Sequence, residues 1–192
     1  MILPFSRLIN GKPTYFPEKI ITGLWVNNLI SKNKAIELFK PQVLEKIIPA
    51  EYQDPGKVNF ATIHKIEFDN TIYHREKIHT IREDKGNRWK PGVMIDFFIN
   101  SRKPDMFRFA PKIPVVSVQN FEIQYYSSSV MVSIDGEWYG DAFFDGFKTL
   151  EGYNIDLENL AINDGFASLE EFFKYFDKDF KGKIIHWTDL KY

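Results

Sequence analysis

The run Lys77-Ile78-His79-Thr80-Ile81-Arg82 is the best candidate for a ligand site in this sequence. An ammonium, an imidazole, a hydroxyl and a guanidinium fall within six residues, with Ile78 and Ile81 available as anchors to a core. In an extended chain Thr80 and Arg82 share one face and Ile81 takes the other. Lys77 joins them only if the chain bends between Lys77 and Thr80. A lysine beside a threonine has two chemical uses. Partly desolvated and neutral, Lys77 could take the hydroxyl proton and make Thr80 a nucleophile. Charged, Lys77 and Arg82 could grip a phosphate or a base carbonyl. On spacing alone the run reads first as an exposed strand with ordinary charges.

A second cluster follows at Arg88-Trp89-Lys90, where an indole between two cations could stack a base or could simply pack its loop. Tyr125 and Tyr126 precede Ser127-Ser128-Ser129, a polar hairpin tip that could reach a ligand. The sequence has no Gly-rich phosphate loop after a strand, no His-Glu-x-x-His helix and no Gly-x-Ser-x-Gly elbow. Its histidines (His64, His74, His79, His186) are scattered, with no metal-binding spacing, so neither a metal nor a cofactor is implied. His186, beside Trp187, reads as a strand histidine with a backbone partner.

The elements that must position these residues are legible in outline. Thr14 before Phe16-Pro17-Glu18 marks a helix start, with a nearby capping hydroxyl, Pro in the first turn and an early acid. Ile20, Ile21, Leu24 and Trp25 form its inward stripe. A second helical tract, Lys34 to Ile48, is interrupted by Pro41 and stopped by Pro49, and Asp54-Pro55-Gly56 marks a loop. From about Thr71 the pattern turns strand-like. Pro91-Gly92 turns into the apolar strand Val93 to Ile99, Phe107-Arg108-Phe109 alternates, and Val115 to Tyr126 suits a long strand that bends or bulges. Val130 to Ile134 and Glu137 to Tyr139 flank Asp135-Gly136 as a hairpin. Ile155 to Asn163 is helical and stops at Asp164-Gly165. Ser168 and Glu171 form a capping box before a Leu169, Phe172, Phe173, Phe176 core stripe. Ile184 to Trp187 closes the chain as a strand. The order is α+β and antiparallel, suited to a small barrel; parallel βαβ alternation is not indicated.

Composition sets the bounds. The 192 residues are 44% hydrophobic and 16% aromatic, enough for a packed globule with Phe, 18 times present, prominent in its core. With no cysteine, disulfides and thiolate chemistry are excluded. No signal peptide or membrane-length apolar stretch is evident, so the expected location is cytoplasmic and the expected partners do not include a membrane. The net charge of −1 conceals ten basic against five acidic residues between Ile72 and Lys112, and ten acidic against one basic between Ile134 and Glu171. The first segment could attract phosphate.

Lys77-x-x-Thr80-x-Arg82, followed by Arg88-Trp89-Lys90-Pro91-Gly92 and the strand Val93 to Ile99, resembles the motif region of the ASCH domain, a member of the PUA-like superfamily. Asp164-Gly165-Phe166, ahead of a short helix, and Gly182 to Trp187 resemble two later segments of that family. The resemblance covers about residues 71–192. It implies an antiparallel PUA-like β-barrel flanked by helices, with residues 1–70 as an N-terminal helical extension packed on it in one compact unit. It also implies a cleft for RNA or a modified nucleotide, lined by Lys77, His79, Thr80, Arg82, Arg88, Trp89 and Lys90. Some members of the family are amidohydrolases acting on acetylcytidine. Carried over, Lys77 would activate Thr80, Thr80 would attack the acyl carbon and Asp164 would shuttle the leaving-group proton. Two positions depart from the pattern: Arg75 replaces a usual Gly, and Asp164 is one methylene shorter than the enzymes' Glu.

Overall fold

Alternation of exposed and buried side chains begins at once, and Ile2–Phe5 forms β1 with Leu3 and Phe5 inward. In this computed structural model the described residues are 1–48, 76–145 and 149–192. The chain divides into two units, each built on its own core: unit 1 takes Met1–Lys77 and Met94–Ile113, unit 2 takes Ile78–Val93 and Pro114–Tyr192. The boundary falls inside the Lys77–Arg82 run. Asp54-Pro55-Gly56, Pro49, His64, His74 and Arg75 lie outside the described residues.

Unit 1 starts with strands, which the expectation of a helical extension over residues 1–70 did not include. After β1, Leu8–Ile9 (β2) and Lys12–Pro13 (β3) pair as a hairpin. Asn10 and Gly11 turn it with φ of 50° and 73°, the pair of positive values that an Asn-Gly turn supplies without strain. Three helices follow: α1 (Phe16–Val26), α2 (Lys32–Leu38) and α3 (Pro41–Ile47). Thr14 Oγ1 accepts the Phe16 N–H at 3.2 Å, while the N-cap position itself is Tyr15, which makes no side-chain cap. Ile20, Ile21 and Leu24 are fully buried, whereas Trp25 is only half-buried. The tract read as one helix with an interruption is two helices. Ser31 Oγ caps the first through Lys34 N–H, and Pro41 opens the second, a position where its missing N–H costs nothing.

β5 (Met94–Ile99) alternates, with Ile95, Phe97 and Ile99 inward, and β6 (Phe107–Arg108) pairs with it antiparallel. β1 pairs with β5 in parallel, Ile2 opposite Asp96 through Phe5 opposite Ile99. This pair was not expected. It is permitted because the connection from β1 to β5 is long enough for a crossover. Phe5, Phe97 and Phe109 meet with ring centroids about 6 Å apart and Phe16 lies edge-on to Phe5, giving unit 1 an aromatic centre.

Unit 2 carries the α+β layout in its clearest form. After β7 (Ile113–Pro114), where the chain passes out of unit 1, come β8 (Ser117–Tyr125), β9 (Ser129–Ile134), β10 (Glu137–Phe144) and β11 (Leu150–Tyr153). Then follow α4 (Ile155–Asn163), α5 (Leu169–Tyr175) and β12 (Phe180–His186). With β4 (His79–Arg82), the six strands form one antiparallel sheet in the order β11-β10-β9-β8-β12-β4, curled into a half-barrel. β12 is thus an interior strand, and β4 lies at the sheet's edge. The hairpin turn at Asp135-Gly136 is as expected. The irregularity expected in β8 lies in β10, where register shifts occur between Trp138 and Gly140 and again at Phe143.

Leu157, Leu160 and Ala161 bury one side of α4, and the chain leaves it through Gly165 at φ 89°. Ser168 Oγ accepts Glu171 N–H at 3.3 Å, starting α5. Phe172, Phe173 and Phe176 are buried and join Phe121, Phe166 and Phe180 in an aromatic cluster. Among the described residues no helix is long and apolar enough to cross a membrane.

Candidate functional site

The Lys77–Arg82 run is more deeply buried than alternation predicts, because both faces of β4 are covered: His79, Thr80 and Ile81 are all buried, Arg82 and Ile78 partly so. β4 pairs with β12 in the register Lys183–Arg82, Ile184–Ile81, Ile185–Thr80 and His186–His79. The approach of the two strands is close. A Cβ on Gly182 would stand 2.5 Å from the Arg82 carbonyl oxygen, so only glycine fits there.

Asp164 ends α4 and turns its carboxylate to β4. Its Oδ1 accepts the Ile81 N–H at 3.2 Å, while Asn163 O accepts the Ile78 N–H at 3.0 Å. The carboxylate therefore satisfies an edge-strand donor and is tied to the backbone of the run. Its Oδ1 also stands 3.8 Å from His79 Nδ1. His79 Nε2 meets the Tyr192 hydroxyl at 2.8 Å, and Asn163 Nδ2 donates to that same oxygen at 2.9 Å. These contacts are satisfied when Tyr192 donates to Nε2 and the His79 proton sits on Nδ1, facing Asp164. Burial pushes the Tyr192 hydroxyl far above its ordinary range, which keeps that proton in place. Gln119 fixes Tyr192 from the backbone side, accepting its N–H at 3.0 Å and donating to its O at 2.8 Å.

His186 adjoins this group, with its ring centroid 5.4 Å from that of His79 and 5.9 Å from that of Tyr192. The expected backbone partner is not found. Both ring nitrogens lack a hydrogen-bond partner, although the residue is 0% exposed. Burial, reinforced by the Lys191 charge, pushes its pKa down to about 4, so the ring is neutral at pH 7. Ser117, its register partner on β8, and Thr188 each bury an unpartnered hydroxyl.

The second basic cluster separates. Asp84 accepts the N–H groups of Arg88 at 3.0 Å and Trp89 at 2.9 Å. Burial works to raise the Asp84 carboxyl, but these two donors and the Arg88 charge outweigh it and hold the group below its usual range. Trp89 is 5% exposed, so its ring is not a free stacking surface. Arg88 and Lys90 are exposed on either side of it.

Lys77 belongs to unit 1. It is 1% exposed, with its N–H on Lys19 O at 3.2 Å. Its Nζ lies 4.7 Å from the Phe16 ring centroid and 5.9 Å from that of Phe5, in cation–π range of both. Two residues missed in the sequence stand on the helix whose first turn holds the Lys77 backbone. Glu18 is 1% exposed and its Oε2 has no partner; Thr22, one turn on, buries an unpartnered Oγ1. Burial pushes the Glu18 carboxyl up to about 7, against the lowering effects of its own backbone hydrogen bond and the Lys19 charge. As a helix-start acid, Glu18 looked like a solvated residue. The overlooked signal was its position: Glu18, Ile21 and Thr22 share a face at helical spacing, beside the apolar stripe. Among the described residues no group of three or more acidic, His or Cys side chains could hold a metal ion.

No protein-family model, no curated protein and no solved structure matches the chain.

Proposed function

We propose that the chain is a binding module that holds RNA or a nucleotide through the Lys77–Arg82 run. The observation that carries this reading is the kind of residue buried there. Lys77, His79 and Thr80 occupy buried positions in which a purely structural segment would place apolar side chains. An ammonium, an imidazole and a hydroxyl are the kinds of group that hydrogen-bond to a nucleotide. The basic surplus around the run, with Arg88 and Lys90 exposed, favours a phosphate-bearing partner. The ASCH-like spacing of Lys77, Thr80 and Arg82 supports the same ligand class and a PUA-like barrel.

The test is a salt titration of single-stranded RNA binding by wild type, Lys77→Ala and Arg82→Ala. The expected result is affinity that falls as salt rises, with a shallower dependence in Arg82→Ala. Salt-independent binding, or full affinity in both variants, refutes the reading.

The alternative is hydrolysis of an acylated nucleoside such as acetylcytidine, with Thr80 as nucleophile, Lys77 as base and Asp164 as proton shuttle. It is weakened by Asp164, whose carboxylate already accepts from the β4 backbone and lies close to His79. Turnover of acetylcytidine that disappears in Thr80→Ala would reinstate it.

A further inference from the structure

Unit 2 holds a cavity of about 650 Å³, lined by the β8–β9 turn, the end of β10, the start of β11 and α5. Its volume is that of a small-molecule site, for which about 300–1,000 Å³ is usual. Backbone contacts hold the lining in place. Tyr126 N–H donates to Ser129 O at 2.8 Å and Phe144 N–H donates to Ser128 O at 2.9 Å, which ties the turn to β10. Asp145 N–H donates to Thr149 O at 2.9 Å, and the Asp145 carboxylate accepts the Thr149 N–H at 2.7 Å. The rings interlock as well. Phe173 lies edge-on to Phe144 at 5.7 Å and to Tyr125 at 6.4 Å, and the Tyr125 hydroxyl donates to Phe176 O. Phe144 is half-buried, and Tyr126 is 56% exposed.

The charge of this cavity is opposite to that of the basic run. Its described lining carries three carboxylates (Asp145, Glu170 and Asp177) against one ammonium, that of Lys174. Lys174 Nζ stands 3.9 Å from Glu170 Oε2, so one carboxylate is offset and a negative surplus remains. Burial, followed by the charges of Asp177 and Asp179, pushes the Tyr125 hydroxyl up to about 12. A phosphate would enter against that field and a cation with it. We propose that this cavity binds a small organic cation, an ammonium or guanidinium on an apolar body. The carboxylates of Asp145, Glu170 and Asp177 meet the charge, and the rings of Phe144 and Tyr126 meet the body. Ring faces carry the negative end of their quadrupole, so rings and carboxylates attract the same ligand. The proposal is independent of the RNA or nucleotide reading, whose residues do not line this cavity. A neutral sugar could use the hydroxyls of Ser127, Ser128 and Thr149, but it would gain nothing from the charge.

The test uses the full chain and three compounds that share one apolar body: phenethylamine, phenethyl alcohol and hydrocinnamate. Maltose serves as the neutral sugar. Affinities are read by NMR titration of the backbone amides at pH 7. The amine is expected to bind roughly tenfold more tightly than the alcohol, as a cation–π contact and exposed ion pairs together allow, and to weaken as salt rises. Hydrocinnamate is expected not to bind. The amide shifts should cluster at Ser127, Ser128, Thr149 and Lys174. The double variant Glu170→Gln, Asp177→Asn is expected to bring the amine down to the affinity of the alcohol and leave the alcohol unchanged. Phe144→Leu is expected to weaken both. Glu151→Gln removes the same charge from β11 outside the lining and is expected to change neither.

Equal affinity of wild type for amine and alcohol overturns the proposal, as does amine binding that the double variant leaves intact. Maltose bound more tightly than the amine makes this a sugar site and overturns it too. Shifts centred away from the lining, or no amine binding up to about 10 mM, do the same. None of these outcomes depends on whether the chain binds RNA, so the two readings stand or fall separately.

Discussion

Glu18 and His186 are buried ionisable side chains whose folded and unfolded states hold protons differently. Glu18 is raised to about 7 from an ordinary 4.5. Its folded form keeps a proton that the unfolded chain releases, so the stabilising effect is complete below pH 4.5 and is lost as pH climbs through 7. The loss is about 3 kcal/mol at 1.36 kcal/mol per pH unit. Glu18→Gln is therefore expected to raise stability at pH 8 and change it little at pH 4.5, as read by urea denaturation at the two pH values. His186 is lowered to about 4 from 6.5, so the unfolded chain takes up a proton that the folded chain refuses. Its effect has the opposite sign: stability is lost as pH falls from 6.5 through 4. A His186→Phe variant is expected to flatten the acid side of the stability profile, as read by urea denaturation at pH 4 and pH 7.

At the residue scale the sequence was readable where charge and spacing coincide, and misleading where burial decides. Lys77, Thr80 and Arg82 stood out by type. Glu18 did not, because an acid after Phe-Pro at a helix start has an ordinary explanation. Trp89, flanked by Arg88 and Lys90, left stacking and loop packing both open, and it is buried in a loop whose N–H groups Asp84 gathers. That contact has no signature in the flanking charges.

Among the elements, those specified by local signals were legible: α4 and its Asp164-Gly165 stop, the Ser168 cap of α5, and the Asp135-Gly136 hairpin. The Asn10-Gly11 turn has the same residue types, but its two-residue strands are too short to show alternation. The parallel β1–β5 pair and the central place of β12 are non-local, and single-strand patterns do not encode partners. Two changes test elements directly. Gly182→Ala must force β12 from β4, since its Cβ would meet the Arg82 carbonyl. We expect a loss of about 1–3 kcal/mol in chemical denaturation. Ser168→Ala removes the α5 cap and should cost about 1 kcal/mol by the same measurement.

For the molecule as a whole, the opposing titrations of Glu18 in unit 1 and His186 in unit 2 define a window. Acid weakens the unit that holds His186, and alkali the unit that holds Glu18. Thermal unfolding followed across pH 4 to 8 should show which unit yields first at each extreme, and a single pH-independent transition would contradict this.

The placement of Asp164 has one more consequence. Strand β4 ends its sheet, and an edge strand with free N–H groups is a template on which another chain can add a strand. By occupying the Ile81 N–H, one carboxylate closes part of that template. A chain lacking it would leave the Ile81 N–H open to a further strand, so Asp164→Ala is expected to raise the tendency of β4 to pair with a second copy, as read by light scattering.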